Sequence, residues 1–541
     1  MTPDLILTGG RIRTMDPTRL WAEALAIRGG RILALGSDAD IRALAGPGTR
    51  LTHAGGRLVL PGIQDAHIHL MDGGVDLVTA APLWDARSVA ELQAAVRAHA
   101  RATAFPLVVG TGWQFGTFTE ANLTREVVDA AVSDRPAILY DSSYHSAVFN
   151  SAACRIAGIV AGRQDPPKGR IVRDAAGEPT GMLHEEEVIA GYAALPQWDD
   201  ATRLTGLRAA QALAHRHGIT GILDPRVLPA HLAAYGALAR EGGLTLHACG
   251  AGLVRPGEDP AQAVERLSDW RAGAQGLALH SAKFFLDGVI ESRTAAMLAP
   301  YADAAGGNAP LLFDPAEIAP LFTALDAARF QIHSHVIGDG AVRAALDGIE
   351  AAREANGAWP ALHQLAHLQV VDPADIPRIA ALGAMANIQP LWARLDPDIP
   401  DDWLDLVGAA RRANVYPFRR ILDTGAPWCL SSDWAVSTLN PFPIIETAVT
   451  RAPGRHERPR PPFLPAEAIS VEEAVAGYTT GAAAACWRAG STGMLRPGYA
   501  ADLIVLDRDI LSGPADQIGG TEVLLTLFAG REVHRAGGFG G

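Results

Sequence analysis

The stretch LVLPGIQDAHIHL (residues 58–70) is the most informative part of the chain, because an apolar strand signal ends there in Asp65, His67 and His69. Side chains along a strand alternate between its two faces, so His67 and His69 point to the same side. Two imidazoles on one face can hold one metal ion, since neutral imidazole is a common nitrogen ligand for zinc and its neighbours. A single HxH pattern is frequent in proteins. A metal site is therefore predicted only if the chain supplies further ligands.

The composition indicates a large folded protein. The chain has 541 residues, of which 48% are apolar and 19% are charged. Such a chain can bury an extensive core, and its length predicts one large domain with a smaller one beside it. Its 46 Lys and Arg residues stand against 59 Asp and Glu residues, which gives a net charge of −13. This balance argues against nucleic acid or an anionic membrane surface as a partner.

The cysteines and the first residues predict where the protein resides. The four cysteines lie far apart and form no CxxC pair, which indicates buried free thiols in a reducing compartment. The opening sequence MTPDLILTGGRIRTMD carries charges where a signal peptide needs an apolar core. No window reaches the eighteen uninterrupted apolar residues of a membrane span. We therefore expect a soluble, cytoplasmic protein.

The two ends of the chain differ from its middle. Residues 1–60 have the pattern of short strands separated by glycine turns, and the last fifty residues return to it in ADLIVLD (501–507) and VLLTLFAG (523–530). Between the ends, apolar strand-like runs alternate with alanine-rich stretches of helical period, such as VAELQAAVRAHARA (89–102). This alternation is typical of βα units.

The pattern predicts an α/β fold, with a (β/α)8 TIM-like barrel and a small β-sandwich domain built from both termini. We expect the small domain over residues 1–58 and 488–541 and the barrel over residues 59–487. A long insertion, at about residues 71–215, separates the HxH strand from the next barrel strand. We expect this insertion to cover the active site and to carry specificity.

Further candidate ligands follow other strand-like runs. Catalytic residues of such barrels lie at the C-terminal ends of the strands. The runs SAKFFLDG, FQIHSHVIGDG, LHQLAHLQV and WCLSSDW contribute Lys283 and Asp287, His333 and His335, His367, and Asp433. A lysine within a buried strand is costly unless it is paired, neutral or modified. Each residue alone has an ordinary structural explanation, but the ordered succession HxH, Lys, His, His, Asp favours one shared metal site.

This ordered set resembles the amidohydrolase superfamily of metal-dependent hydrolases. Further stretches are similar to the branch that contains the N-substituted formamide deformylases: TGWQFG, SYHSAVFNSAACRIAGI, PTGMLHEE, KFFLDGVIESRTA, HSHVIGDGAV and GMLRPGYAADLIVLDRD. The resemblance covers nearly the whole chain. Two positions depart from the usual pattern, namely Gln114 in place of an Asp and Ala366 in place of a Glu. Both departures concern the surroundings of the ligands and the substrate contacts rather than the ligands themselves.

The resemblance implies a divalent metal, with zinc as the expected ion, in one or two copies. His67 and His69 would bind one metal ion, and Lys283, carboxylated by carbon dioxide, would be a ligand or a bridge. His335 and His367 would complete a second site or share the first one. Asp433 would bind metal and act as the base. Carboxylation would turn a costly buried cation into an anionic oxygen ligand.

The implied activity is hydrolysis of an amide C–N bond, of the N-substituted formamide or N-acyl amine type, by metal-activated hydroxide. Asp433 would serve as general base and then as general acid. Two alternatives stay open. One is a lactone or cyclic amide hydrolase or a heterocycle deaminase on the same scaffold, and the other is a non-catalytic binding protein on a degenerate barrel.

The resemblance also indicates residues around the reacting groups. His145 is a second catalytic candidate, for substrate binding or for stabilising the oxyanion. Trp113, Arg293 and Trp434 are candidates for substrate binding, although a structural role would explain each of them equally well. Asp224 is a candidate for orienting a ligand histidine. We expect a small-molecule substrate with an apolar or aromatic substituent, and a homodimer.

Overall fold

Eight parallel strands form a nearly closed barrel, which confirms the predicted α/β barrel. The structure is a computed structural model that describes residues 2–166, 169–303, 306–397 and 400–539. Each barrel strand pairs in parallel with the next one along the chain. From the first to the eighth, the barrel strands are Ile63–Asp65, Ile219–Val227, His247–Leu253, Leu277–Phe285, Gln331–Val336, Gln364–His367, Met385–Ile388 and Trp428–Leu430.

The first and eighth barrel strands meet through the residues that follow them. The backbone N–H of Ser432 donates to Asp65 Oδ1 at 3.1 Å, and the backbone N–H of Asp433 donates to the carbonyl oxygen of His67 at 2.8 Å. The two segments that carry candidate ligands are thereby held side by side, although more than 360 residues separate them in sequence.

Helices surround the barrel. Two of the described helices begin at an aspartate that accepts hydrogen bonds from the first turn and is followed by proline, namely those at Asp259 and Asp314. None of the described helices combines the length and the apolarity that a membrane crossing requires. The α-helices are Asp38–Arg42, Leu70–Thr79, Val89–Ala102, Arg125–Asp129, Ser151–Ala157, Glu186–Ala193, Asp200–Arg216, Pro229–Arg240, Pro260–Gly273, Pro315–Ala327, Asp339–Asn356, Ile376–Leu382, Trp403–Val407, Phe418–Asp423, Pro441–Thr450, Val471–Ala476 and Ala482–Ala485.

Shorter helical turns lie mostly in the C-terminal half of the chain. The 3₁₀ helices are Pro390–Trp392, Arg412–Asn414, Pro465–Glu467 and Ala515–Gly520, and Gly477–Gly481 is a π-helix. The first of them directly follows the seventh barrel strand, so it lies at the end of the barrel where the candidate ligands are found.

A second sheet, the insertion sheet, lies between the first and second barrel strands in sequence. Its six strands, in spatial order, are Gly169–Arg173, Pro179–Glu185, Ser146–Phe149, Ala137–Asp141, Val108–Trp113 and Ala81–Pro82. The helices that flank the insertion pack closely, since a Cβ on Gly74 would lie 2.3 Å from the carbonyl oxygen of Gly206. This contact holds the two helices at the ends of the insertion against each other.

Two sheets near the chain ends share one apolar cluster. The first, in spatial order, contains Arg31–Gly36, Ala24–Arg28, Leu5–Thr8 and Arg50–His53, and the second contains Arg531–Arg535, Val523–Phe528, Leu503–Leu506, Leu58–Pro61, Arg11–Arg13 and Trp21–Ala22. Leu7, Ile27, Val59, Leu503 and Leu527 all contribute to the common cluster. Both termini thus supply strands here, while the β-sandwich description and the domain boundaries stay predictions.

Polar side chains fill part of the barrel interior beside the candidate ligands, and Ser281, Gln331, Gln364 and Ser431 each precede a candidate ligand along the same strand or segment. Gln331 Oε1 accepts hydrogen bonds from Ser281 Oγ and from Gln364 Nε2, both at 2.8 Å. Gln364 Oε1 in turn accepts from Asn387 Nδ2 at 2.7 Å, and Asn387 Oδ1 accepts from Ser431 Oγ at 2.6 Å. We call this set the amide network. Its members are fully buried, and they link four barrel strands and the segment that follows the eighth.

Candidate active site

Three of the predicted ligands converge at the C-terminal end of the barrel. One ligand atom from each of His67, His367 and Asp433 lies within 4.8 Å of the other two. His67 Nε2 is 3.3 Å from Asp433 Oδ1, and His69 Nε2 is 3.4 Å from the same oxygen. The HxH pair and the aspartate that follows the eighth strand therefore form one cluster.

His335 and Lys283 lie next to this cluster. The ring centroids of His335 and His367 are 4.4 Å apart. Lys283 is fully buried, and its Nζ lies 4.4 Å from the centroid of the Phe285 ring. Burial lowers the pKa of Lys283 to about 7, although the Asp433 carboxylate nearby raises it. The structure thus brings all six predicted ligands to one end of the barrel.

The backbone at two of these residues is unusual. His367 has a φ of 84° and Asp433 a φ of 54°, both in the left-handed region that non-glycine residues rarely adopt. Such conformations cost on the order of 1–3 kcal/mol and persist where the surrounding structure imposes them, commonly at functional sites. The surrounding fold therefore imposes the backbone conformation that directs these two side chains toward the cluster. The intrinsic backbone preference of the residues does not.

The donor atoms of the cluster fit a divalent metal ion. Among the described residues, both ring nitrogens of His367, Asp433 Oδ1 and Lys283 Nζ are buried and make no hydrogen bond. A buried polar atom without a partner costs about 1–3 kcal/mol. Burial lowers the pKa of His67 and His335 well below the usual range and that of His367 to about 3. The imidazoles are therefore neutral, which is the form that binds metal.

Two residues that the sequence places beside the predicted ligands, without a role of their own, contact those ligands in the structure. Asp287 Oδ1 lies 3.2 Å from His335 Nδ1 and also accepts from the backbone N–H of Ile337 at 3.0 Å. His333 Nε2 lies 2.9 Å from His67 Nδ1. Both residues stand in the runs that supplied ligands, Asp287 four residues after Lys283 and His333 two before His335. Their proximity in sequence was the available signal.

His145 reaches the site from the insertion sheet and forms an ion pair there. Its Nδ1 is 2.9 Å from Glu185 Oε2, and its ring centroid is 5.3 Å from that of His335. Glu185 also accepts from Thr294 Oγ1 at 2.6 Å. Burial alone would lower the pKa of His145, but the charge and hydrogen bond of Glu185 outweigh it and raise the pKa to about 9.

Glu185 is a further functional candidate, which the sequence analysis does not name. It ends a strand of the insertion sheet with a φ of 55°, again in the left-handed region. The motif PTGMLHEE, which contains it, was recognised as part of the resemblance, but nothing in that motif indicates that residue 185 meets residue 145. The contact depends on the antiparallel pairing of the strands Ser146–Phe149 and Pro179–Glu185.

The predicted substrate-binding residues have different surroundings. Trp113 is fully buried in the apolar cluster of the insertion sheet, where its indole N–H donates to the carbonyl oxygen of Leu139 at 2.9 Å. Arg293 contacts Asp303 and the carbonyl oxygen of Gly306 in the loop after the fourth barrel strand. These contacts indicate a structural role for both residues. None of them joins Trp113 or Arg293 to the cluster of candidate ligands.

Trp434 and Asp224 complete the predicted set. Trp434 follows Asp433, and its carbonyl oxygen accepts from the backbone N–H of His69 at 2.7 Å. Its ring packs against Gly73, where a Cβ would lie 2.7 Å from Cζ3. Asp224 is buried and accepts from Tyr235 Oη at 3.2 Å. Trp434 thus lies beside the cluster, whereas the hydrogen bonds of Asp224 involve no ligand histidine among the described residues.

Comparison with known proteins identifies relatives along nearly the whole chain. The profile of the amidohydrolase family matches residues 50–534. The N-substituted formamide deformylase of Arthrobacter pascens is 27% identical over 97% of this chain and 97% of its own. The protein LONG AFTER FAR-RED 3 of Arabidopsis thaliana is 27% identical over 98% of this chain and 91% of its own.

A solved structure shares the fold. The crystal structure of an uncharacterized metal-dependent hydrolase from Pyrococcus horikoshii OT3 superimposes with a TM-score of 0.75, at 22% identity, over 94% of this chain and 99% of that one. At this level of identity the similarity concerns the architecture alone. It agrees with the barrel described above.

Proposed function

This chain belongs to the amidohydrolase family, and on that premise we propose that it is a metal-dependent hydrolase that cleaves an amide C–N bond. The substrate would be an N-substituted formamide or an N-acyl amine. One observation carries the proposal: His67, His367 and Asp433 converge within 4.8 Å, and both ring nitrogens of His367 and Asp433 Oδ1 are buried without a hydrogen bond among the described residues. Such a cluster is costly unless a cation occupies it.

The proposed metal site consists of His67, His69, Lys283, His335, His367 and Asp433. The mixture of imidazole nitrogen and carboxylate oxygen suits zinc, which we propose as the ion, in one or two copies. When bound, a divalent ion polarises the substrate carbonyl and lowers the pKa of water from 15.7 to about 7. The left-handed backbone at His367 and Asp433 supports the assignment, because such costly conformations are found mainly at functional sites.

Asp433 is the proposed general base and general acid. Its Oδ1 lies between His67 Nε2 and His69 Nε2 and makes no hydrogen bond among the described residues. We propose that this carboxylate accepts a proton from the attacking water and passes it to the leaving nitrogen. The new C–O bond then replaces the C–N bond, and the products are a carboxylic acid and an amine.

Lys283 is proposed to carry a carbamate. Its amine is buried, has no hydrogen bond among the described residues, and has a pKa of about 7, so an uncharged form is available near neutrality. An uncharged amine attacks carbon dioxide, and loss of one proton leaves an anionic carbamate on Nζ. The buried, unpaired amine supports this proposal, because a carbamate would replace it with oxygen ligands for the metal.

His145 is proposed to contact the substrate oxygen. It approaches the cluster at His335, and Glu185 fixes its Nδ1. A donor held in this way can stabilise negative charge that develops on the carbonyl oxygen. Trp392, which stacks on His367 with ring centroids 5.5 Å apart, and Trp434 offer apolar surface beside the cluster. They support an apolar or aromatic substituent on the substrate. Homodimeric assembly and a cytoplasmic location stay predictions.

A substrate panel tests the proposed function. Metal-loaded protein is incubated with N-substituted formamides, N-acyl amines, lactones and cyclic ureas, and released formate, carboxylate and amine are measured. We expect amine release from the first or second class. Turnover confined to lactones or cyclic ureas would support the alternative hydrolase reaction instead. The Asp433→Asn protein, prepared in parallel, controls for contaminating hydrolases, because its product release should fall by about 10²–10⁴-fold whereas that of a contaminant would not change.

A further inference from the structure

His333 contacts a proposed metal ligand from within the barrel. It belongs to the fifth barrel strand, is fully buried, and lies two residues before His335. Its Nε2 is 2.9 Å from Nδ1 of His67, and the two ring centroids are 4.8 Å apart with planes inclined by 55°. This nitrogen pair is at ordinary hydrogen-bond distance, so one ring donates and the other accepts.

The direction of that hydrogen bond determines which nitrogen of His67 is free. A neutral imidazole carries one N–H, and the other nitrogen has a lone pair. If His67 Nδ1 donates to His333, the lone pair of His67 is on Nε2, the atom that lies 3.3 Å from Asp433 Oδ1. If His333 donates instead, His67 Nε2 carries the proton and cannot bind metal. Only the first arrangement makes His67 a ligand.

We infer that His333 is a positioning residue: it accepts a hydrogen bond from His67 Nδ1 and thereby presents His67 Nε2 to the metal. The inference rests on the proposed metal site. Ligand histidines usually donate their second ring N–H to an acceptor, most often a carboxylate, a carbonyl or water. Here that acceptor is a second histidine on the fifth barrel strand, four strands away from the first in the sheet and 266 residues away in sequence.

The position of His333 argues against a role as a ligand of the same ion. Its Nε2 already contacts His67, and its Nδ1 makes no hydrogen bond among the described residues. In the positioning arrangement Nδ1 carries the proton of His333, because Nε2 accepts. Strand alternation places His333 on the same face as His335, one layer further from the C-terminal end of the barrel. His333 therefore lies directly beneath the proposed ligands in the barrel interior.

Two substitutions separate positioning from simple space filling. His333→Gln keeps an acceptor, since the amide oxygen of glutamine can occupy the place of Nε2. His333→Leu retains much of the volume and removes the acceptor. The structural control is His363→Leu, because His363 is buried, contacts Asp326 at 3.0 Å and contacts no proposed ligand. Each variant is compared with wild type by circular dichroism and thermal unfolding.

The decisive readout is the dissociation constant for zinc, measured by competition with a chromophoric chelator. We expect His333→Leu to weaken zinc binding by about 10–100-fold, His333→Gln to restore it to within about threefold of wild type, and His363→Leu to lower the thermal midpoint without changing zinc affinity. Equal zinc affinity in wild type and His333→Leu would overturn the inference. So would an equal loss in the Gln and Leu variants.

A measurement on the wild-type protein covers the case in which the Leu variant does not fold. The imidazole ¹⁵N chemical shifts of zinc-loaded protein report which nitrogen of each histidine carries a proton. We expect His67 to be protonated at Nδ1 and His333 to have an unprotonated Nε2; a protonated His333 Nε2 would contradict the inference. Failure of wild type to bind zinc at all would instead count against the proposed function.

Discussion

Two groups of buried polar side chains in the barrel interior differ in whether they are hydrogen-bonded. The amide network joins Gln331, Gln364 and Asn387 through hydrogen bonds of 2.7–2.8 Å. At the C-terminal end, Lys283 Nζ and Asp433 Oδ1 are equally buried and make no hydrogen bond among the described residues. A satisfied network stabilises the fold, whereas an unsatisfied cluster costs free energy until something binds. This difference supports the proposal that the active site lies at the C-terminal end of the barrel.

The largest expected effect comes from removing the proposed base. Asp433→Asn keeps the size of the side chain and removes the negative charge that accepts the proton. We expect turnover of the best amide substrate to fall by about 10²–10⁴-fold, with the thermal midpoint at or above that of wild type. Steady-state kinetics on metal-loaded protein measures this effect. Asp314→Asn serves as the matched control, because Asp314 caps a helix where asparagine is an equally good cap.

A substitution in the amide network should lower the stability of the fold and leave metal binding unchanged. Gln331→Leu leaves Ser281 Oγ and Gln364 Nε2 without their acceptor and cannot fill the gap with a polar atom. We expect the free energy of unfolding to fall by about 2–4 kcal/mol, with zinc affinity unchanged, as measured by denaturant unfolding and chelator competition. A loss of zinc affinity without a loss of stability would show that the amide network and the ligand cluster do not act separately.

Removing the unpaired lysine should stabilise the metal-free protein. Lys283→Met replaces a buried amine by an apolar chain of similar length. We expect metal-free protein to gain about 1–3 kcal/mol of stability and to lose hydrolytic activity. Burial lowers the pKa of Lys283 from 10.5 to about 7, so the folded state binds fewer protons than the unfolded state between these values. The gain should therefore be greatest at pH 7 and below and should shrink as the pH rises toward 10.5. A loss of stability in the metal-free variant would contradict the account.

The smallest effect is expected at the edge of the site. Glu185→Gln retains a hydrogen-bond acceptor for His145 but removes the charge that raises its pKa. We expect kcat/KM to fall about tenfold, which corresponds to about 1.4 kcal/mol, with zinc content unchanged. Glu120→Gln is a suitable control, because Glu120 also contacts the insertion sheet but forms its ion pair with Arg170 near the surface. A loss of zinc from the Glu185 variant would place this residue in the metal site itself.

Much of the architecture was predictable, because strand and helix periods are local properties of sequence. The alternation of apolar runs and alanine-rich helices predicted the barrel, which the eight parallel strands confirm. The convergence of the predicted ligands His67, Lys283, His335 and His367 was predictable because barrel strands bring their C-terminal residues to one end, while their role as ligands stays a prediction. The six-stranded order of the insertion sheet was not predicted, because pairing between Ala81–Pro82 and Val108–Trp113 spans many residues and has no local signature.

What the sequence could not predict are contacts that depend on that long-range pairing. The meeting of Glu185 with Thr294 joins the insertion sheet to a barrel loop across 109 residues. Trp113 was interpreted as a pocket residue from its motif, while its surroundings depend on how the insertion sheet packs. The hydrogen bond between His67 and His333 likewise depends on the relative height of the first and fifth barrel strands. The relative heights of strands along the barrel axis are set by how the barrel closes, and the residue pattern of a single strand does not determine them.

The most direct test of a metal site at the C-terminal end is the metal content of the purified protein. Inductively coupled plasma mass spectrometry is applied to wild type, to protein treated with a chelator, and to treated protein reconstituted with zinc. We expect about one or two equivalents per chain in wild type, lost with hydrolytic activity on chelation and regained with it on reconstitution. Less than about half an equivalent of zinc, manganese or iron, with no gain on reconstitution, would contradict the account.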